Sequence, residues 1–296
     1  MENYGRSKNG AEAQTVLNCI DLSSADIQQS VSLLKQACLD CGFFYVVNHG
    51  ISQEFMEEVF SQSKRFFKMP LNEKMKVLRN EKHRGYTPVL DELLDPDTQV
   101  RVCLIYFVSA PREVAKAVAR IIALALDLDA DFFDKPEMLG QAIATLRLLH
   151  YEGQISDPSK GMYGAGAHSD YGLITLLATD EVAGLQICKD RDAKPQLWED
   201  VAPMKGAFIV NLGDMLERWS NCIFKSTLHR VLGTGRERYS IAFFVEPSHD
   251  CLVECLPTCK SDKNPPKFPP IKCETYLSQR YKDTHADLNM YNKQQT

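Results

Sequence analysis

Apolar residues fall in two textures along this chain. From Ile27 to Cys41 they recur at Ile27, Val31, Leu34, Ala37 and Cys38, the spacing of a helix with one buried stripe. Ser23, Ser24 and Asp26 precede that stripe as candidate caps, and Gly42 ends it. A second helical pattern runs from Phe55 to Phe67 and closes at Pro70; a third, rich in Ala, Leu and Ile, runs from Glu113 to Leu128. VLNCIDLS, from Val16, predicts a short strand ahead of the first helix. FFYVV, Phe43 to Val47, predicts a buried strand that Asn48-His49-Gly50 terminates. Beyond Leu146 the pattern changes to short apolar runs, LRLLHY, LITLLAT, GLQIC, AFIVNL and YSIAFFV, bounded by Gly, Asp, Asn, Pro or Lys. Repeated short strands with turn residues between them predict a sandwich or barrel. The expected architecture is a helical N-terminal part around a late β-core. A polar arm over 1–15 precedes an N-terminal region over 16–112, a long-helix region over 113–144, and a β-core with a C-terminal helix over 145–296.

Composition narrows the class without naming it. With 296 residues, 44% hydrophobic and 25% charged, the chain is an ordinary globular protein rather than a fibrous or disordered one. A net charge of −5 lacks the basic excess of a nucleic-acid footprint. No apolar run approaches the roughly 18 residues of a membrane span. The expectation is a cytoplasmic monomer handling small molecules, with neither nucleic acid nor membrane as partner. Its ten cysteines are read as reduced thiols. Cys251, Cys255 and Cys259 repeat every fourth residue, but Pro257 interrupts any helix that would align them, so the repeat is taken as coincidence.

Candidate chemistry sits in the strand-rich half. Residues i and i+2 of a strand share a face, so His168 and Asp170 of His168-Ser169-Asp170 would project together, with His229 arriving from another strand across the core. Two imidazoles and a carboxylate form the facial triad of non-haem iron sites, which leaves coordination positions open. Alone, the His-x-Asp pair reads more often as a polar pair in a surface turn than as a metal site. Arg238 and Ser240 open the strand YSIAFFV on one shared face, where a guanidinium fork and a hydroxyl match a carboxylate; alone, Arg238 reads as a solvated strand-edge residue. Taken together, these positions favour a metal site with a neighbouring carboxylate clamp. His49 is read as a turn residue, His150 as pointing away from that site, and His83 and His285 as solvated. Trp198 and Trp219 are read as core, and Asp214 as ordering a turn.

These residues stand in a longer resemblance. ACLDCGFFYVVNHGIS (Ala37 to Ser52), FFKMPLNEK (Phe66 to Lys74), RGYTP (Arg84 to Pro88), HSDYGLITLLATDEVAGLQI, VNLGDMLERWSNCIFKSTLHRV and RYSIAFFVEP resemble successive landmarks of the plant-type soluble Fe(II)/2-oxoglutarate-dependent dioxygenases, from about Val16 to about Tyr291. The resemblance implies a double-stranded β-helix (jelly-roll) core, an α+β fold with mainly β core. It implies His168, Asp170 and His229 as iron ligands, and Arg238, Ser240 and Tyr151 as holders of 2-oxoglutarate. Leu149 stands two positions before Tyr151, where many relatives carry asparagine. The implied activity is O₂-dependent oxidation of a small organic metabolite: hydroxylation, desaturation or demethylation coupled to conversion of 2-oxoglutarate to succinate and CO₂. Ascorbate is the expected supporting reductant, and plant specialised metabolism the expected setting.

The chain departs from that family in one place. Family members carry a longer segment between the RGYTP-type landmark and the helix near Glu113, whereas here LDPDTQV runs almost directly into RVCLIYFVSAPREV. That segment contributes sheet strands and part of the substrate pocket wall. Two readings follow: an active dioxygenase, or a weakly active or non-catalytic jelly roll that has kept the iron and 2-oxoglutarate site.

Overall fold

The strand FFYVV shows why the protein is layered. Phe44 and Val46 face a core shared with helices, while Phe43 and Tyr45 face a second core; a strand covered on both sides has no polar alternation to show. The computed structural model describes residues 16–80, 84–88, 102–106 and 109–284. The arm 1–15, LDPDTQV, His83 and His285 lie outside the described residues. In chain order the elements are β1 (Cys19–Asp21), α1 (Ile27–Asp40), β2 (Phe43–Val47), α2 (Gln53–Lys68), α3 (Leu71–Met75), β3 (Val102–Tyr106), α4 (Ser109–Ala125), β4 (Ile143–Tyr151), β5 (Ala165–His168) and β6 (Ile174–Thr179). There follow β7 (Leu185–Asp190), β8 (Leu197–Asp200), β9 (Phe208–Leu212), α5 (Asp214–Trp219), β10 (His229–Val231), β11 (Arg238–Glu246), β12 (Leu252–Val253), β13 (Ile271–Lys272) and α6 (Cys273–Thr284).

Local chemistry accounts for the helix ends. The Asp26 carboxylate accepts from the Gln29 amide at 3.0 Å to start α1, and Ser52 caps α2 through the Phe55 amide at 3.2 Å. Either cap satisfies an amide that the helix itself leaves unpaired. After α1 the chain reverses at Gly42, whose φ is +66° and where a Cβ would collide with the Lys225 carbonyl oxygen; only glycine fits there. Helix α4 begins four residues earlier than the periodicity suggests, at Ser109, because Pro111 falls in its first turn, where a missing N–H costs nothing.

Seven strands form the larger sheet in the order β1-β2-β9-β6-β11-β4-β3, and four form the smaller, β5-β10-β7-β8. Among the described residues only β1 and β2 run parallel; every other pairing in the two sheets is antiparallel. One face of the larger sheet packs Leu146, Leu148, Ile241 and Phe243 against the Val114, Val118 and Ile122 stripe of α4 within one apolar cluster. The other face looks towards the smaller sheet and closes the cavity that holds the candidate chemistry. This is the double-stranded β-helix expected from sequence. Strand β3 forms one edge of the larger sheet and pairs with β4, so the segment ahead of α4 supplies one sheet partner. Among the described residues no helix is long and apolar enough to cross a membrane.

Candidate active site

His168 ends β5, His229 begins β10, and the two residues are directly opposite in register. Their rings lie 4.3 Å apart between centroids. Asp170 follows in the turn after β5 and points one carboxylate oxygen, Oδ1, at both rings, 3.9 Å from His168 Nε2 and 3.7 Å from His229 Nε2. Candidate ligand atoms of the three residues all lie within 4.8 Å of one another, close enough to share one ion. Each histidine donates its Nδ1–H to the carbonyl two residues back, Gly166 at 2.7 Å and Thr227 at 3.1 Å. A carbonyl can only accept, so both tautomers are fixed with the Nε2 lone pair facing Asp170, the arrangement a metal-binding imidazole requires.

Asp170 is held with equal economy. Its Oδ2 accepts from Thr175 Oγ1 at 2.5 Å and from Asn211 Nδ2 at 2.7 Å. Burial alone would raise the Asp170 carboxyl, but His229, His168 and the two hydrogen bonds outweigh it and keep it below its ordinary value. Burial, reinforced by His229, pushes His168 down to about 4, so it is neutral near pH 7, as a ligand must be. Two imidazoles, each with its Nε2 lone pair turned to the same point, and one carboxylate fit Fe(II).

Farther along the same cavity Arg238 opens β11. Its Nη1 donates to Ser240 Oγ at 3.2 Å and its Nε to the Val182 carbonyl at 3.2 Å. Tyr151 sits opposite it in register on β4, with its ring centroid 5.0 Å from the guanidinium carbon. Because Ser240 Oγ accepts from Arg238, its own proton can be donated to an anion beside them. All six of these residues line one cavity of about 80 Å³, whose wall is completed by apolar side chains such as Leu149, Leu177 and Phe244. Leu149 faces Ser240 across β4 and β11, so that position offers no polar contact. A second cleft of about 250 Å³ shares Tyr151 in its lining, with Gln154, Lys160, Met162 and Gly164.

Three details differ from the sequence reading. Asp170 is not on the strand: β5 stops at His168, and a turn, not strand alternation, brings the carboxylate round. His229 comes from the strand hydrogen-bonded to β5, not from across the core. Trp198 is only half-buried, with the Arg230 guanidinium 4.0 Å from its ring, whereas Trp219 is fully buried. His150 does turn away, bonding Glu237 at 2.8 Å and stacking on Tyr239. His49 Nε2 lies 3.0 Å from the Gly206 carbonyl, in keeping with a turn residue. Thr175 and Asn211 escaped the sequence reading, although a polar residue inside an apolar strand, as in LITLLAT and AFIVNL, is the signal for them.

The first part of the chain, residues 17–119, matches the family model for the non-haem dioxygenase in morphine synthesis N-terminal region, and residues 143–247 match that for the 2OG-Fe(II) oxygenase superfamily. Kihadalactone A synthase LFS of Citrus sinensis is 44% identical, the alignment covering 96% of this chain and 97% of the relative. Azadirone synthase LFS of Melia azedarach is 41% identical over 91% of this chain and 93% of its own length. Among solved structures, a full-length Neurospora crassa protein in complex with alpha-KG superposes with a TM-score of 0.77 at 28% identity, covering 89% of this chain and 95% of that one. JOX2 in complex with 2OG, Fe and JA gives a TM-score of 0.74 at 29% identity, covering 90% and 86%. The alignment with the Citrus sinensis relative runs over 326 residues, 30 more than the 296 of this chain. That relative therefore carries at least that many residues without a counterpart here.

Proposed function

The chain belongs to the 2OG-Fe(II) oxygenase superfamily, and from that premise we propose that it oxidises a small, mostly apolar plant specialised metabolite, with His168, Asp170 and His229 holding the iron and Arg238, Ser240 and Tyr151 holding 2-oxoglutarate. One observation carries the reading: all six side chains line a single cavity between the two sheets. Likeness to two plant synthases, for kihadalactone A and azadirone, supports the substrate class. Oxidation by hydroxylation, desaturation or demethylation is consistent with the same site.

Bound Fe(II) and 2-oxoglutarate supply the oxygen chemistry, in which 2-oxoglutarate leaves as succinate and CO₂. The protein's part is orientation and exclusion of water. Thr175 and Asn211 restrain Asp170 so that one oxygen, Oδ1, is presented, and the Gly166 and Thr227 carbonyls aim the two imidazoles. Arg238, fixed by Val182 and Ser240, offers its guanidinium to the distal carboxylate, with Ser240 and Tyr151 as hydroxyl donors. Leu149, Leu177 and Phe244 make part of the cavity wall apolar.

The test is succinate release from 2-oxoglutarate with Fe(II) and ascorbate, screened across plant specialised metabolites. A metabolite that raises succinate and is itself oxidised is the expected result; a library of plant metabolites in which none does so would count against the substrate class. Arg238→Lys separates the clamp from the metal site. Lysine keeps the charge and loses the fork, and one lost charge-assisted hydrogen bond is worth about ten- to a hundredfold in affinity. KM for 2-oxoglutarate should rise by that factor; an unchanged KM would mean that the carboxylate is held elsewhere.

A further inference from the structure

The last described helix reaches back to the centre of the site. Along α6, Cys273, Tyr276, Leu277, Arg280 and Tyr281 fall on one stripe; Cys273 and Leu277 are buried in the larger core. The rest of that stripe touches the turn between the candidate iron ligands. Arg280 Nη2 lies 3.5 Å from Ser169 Oγ, and its guanidinium carbon is 4.7 Å from the Tyr171 ring centroid. Ser169 and Tyr171 are the two sequence neighbours of Asp170, so one side chain touches the residues on both sides of it. Tyr281 meets the Tyr171 ring edge-on at 5.8 Å.

A second path converges on the same residue. The Asp214 carboxylate accepts from the Tyr276 hydroxyl at 2.9 Å and from Ser226 Oγ at 2.7 Å, and it pairs with Arg280 at 3.4 Å. The backbone amide of Asp214 donates to the carbonyl of Asp170 at 2.8 Å, and the next amide, Met215, donates to the Tyr171 and Gly172 carbonyls. Close approach is built in: a Cβ on Gly213 would collide with the Gly172 carbonyl oxygen. Thus α6 grips the turn once through side chains and once through Asp214.

We propose that α6 is a positioning element of the metal centre, with Arg280 and Tyr276 acting through Ser169, Tyr171 and Asp214 to fix where the Asp170 carboxylate points. The inference rests on the reading of Asp170 as a metal ligand. Neither α6 residue touches the metal position, so both are positioning residues. Their effect belongs in metal affinity and ligand geometry, where partners one step behind a ligand typically count for 10–100-fold.

The experiment titrates metal-free full-length protein with Co(II) in the presence of 2-oxoglutarate, reading affinity and the visible absorption of the bound ion. Asp170→Ala serves as the control for the underlying reading. Co(II) binding as tight as wild type in that variant would remove both the ligand assignment and this inference. With Asp170→Ala deficient, Arg280→Met and Tyr276→Phe decide the inference alone. Expected are a Kd for Co(II) raised about tenfold, an altered absorption band, and a metal-free Tm close to wild type. Arg280→Lys, which keeps the charge beside Asp214, should recover part of the affinity. Wild-type Kd and absorption in both Arg280→Met and Tyr276→Phe would overturn the proposal. So would an affinity loss that merely follows a fall in metal-free Tm and that lysine does not recover, since that marks α6 as a docked helix and nothing more.

Discussion

Asp170→Ala will reduce Fe(II)-dependent conversion of 2-oxoglutarate to the level of metal-free protein, while circular dichroism shows a folded chain. The carboxylate is the one anionic side chain of the triad, so its loss leaves the ion without a charged protein ligand in a buried site. It also strands the Thr175 hydroxyl and the Asn211 amide, which point at Oδ2. Leaving buried donors without partners costs about 1–3 kcal/mol each, enough to lower Tm and not enough to unfold a domain of this size. His168→Ala and His229→Ala should lose turnover in the same way, with different effects on stability. The His229 ring packs edge-on against Phe43 at 5.5 Å, whereas His168 is the more open of the two. Undiminished 2-oxoglutarate decarboxylation in Asp170→Ala or His229→Ala would remove the metal assignment.

What can be read in the sequence follows a physical division. Phe43–Val47 is legible to the residue, because Gly42 with positive φ and Asn48-His49-Gly50 punctuate an unbroken apolar run. Arg238 and Ser240 are legible as neighbours because strand alternation is local. The pairing of Arg238 with Tyr151 is not, since it depends on the register of β4 against β11, and register is set by turns and by which faces are buried. For the same reason the expected convergence of His168 and Asp170 holds in outcome and fails in cause: whether a strand runs on through Asp170 is decided by its partners, and β10 stops supporting β5 at His229. Thr175 and Asn211 need the fold, because nothing in either strand says which carboxylate a buried polar side chain will meet. The link from α6 to the Ser169–Tyr171 turn spans 111 residues between Ser169 and Arg280, and no local pattern reports a contact of that kind.

The second large effect expected is loose coupling: this chain should form more succinate than oxidised metabolite. The Citrus sinensis relative has at least 30 residues that this chain lacks, and we propose that the gap lies between RGYTP and α4, the segment to which the family resemblance assigns part of the substrate wall. What remains there still forms β3, which pairs antiparallel with β4 through Val102–Leu149, Ile105–Arg147 and Tyr106–Leu146, with an irregularity between the first two pairs. Strand β4 also carries Leu149 and Tyr151 into the cavity, so the 2-oxoglutarate end keeps its backing. The triad lies on β5, β10 and the turn after β5, away from the gap in sequence. On that placement, binding of iron and 2-oxoglutarate should survive, while a substrate would meet a wall that is partly missing. A displacement of about 1 Å from the reactive geometry can cost about a hundredfold in rate, and that loss falls on substrate oxidation rather than on decarboxylation. Splicing the corresponding segment of the Citrus sinensis relative between RGYTP and α4 should raise metabolite oxidation by up to about that factor and bring the ratio of oxidised product to succinate towards one. A ratio already near one in the chain as it stands, with no gain on insertion, would show that β3 alone completes the pocket.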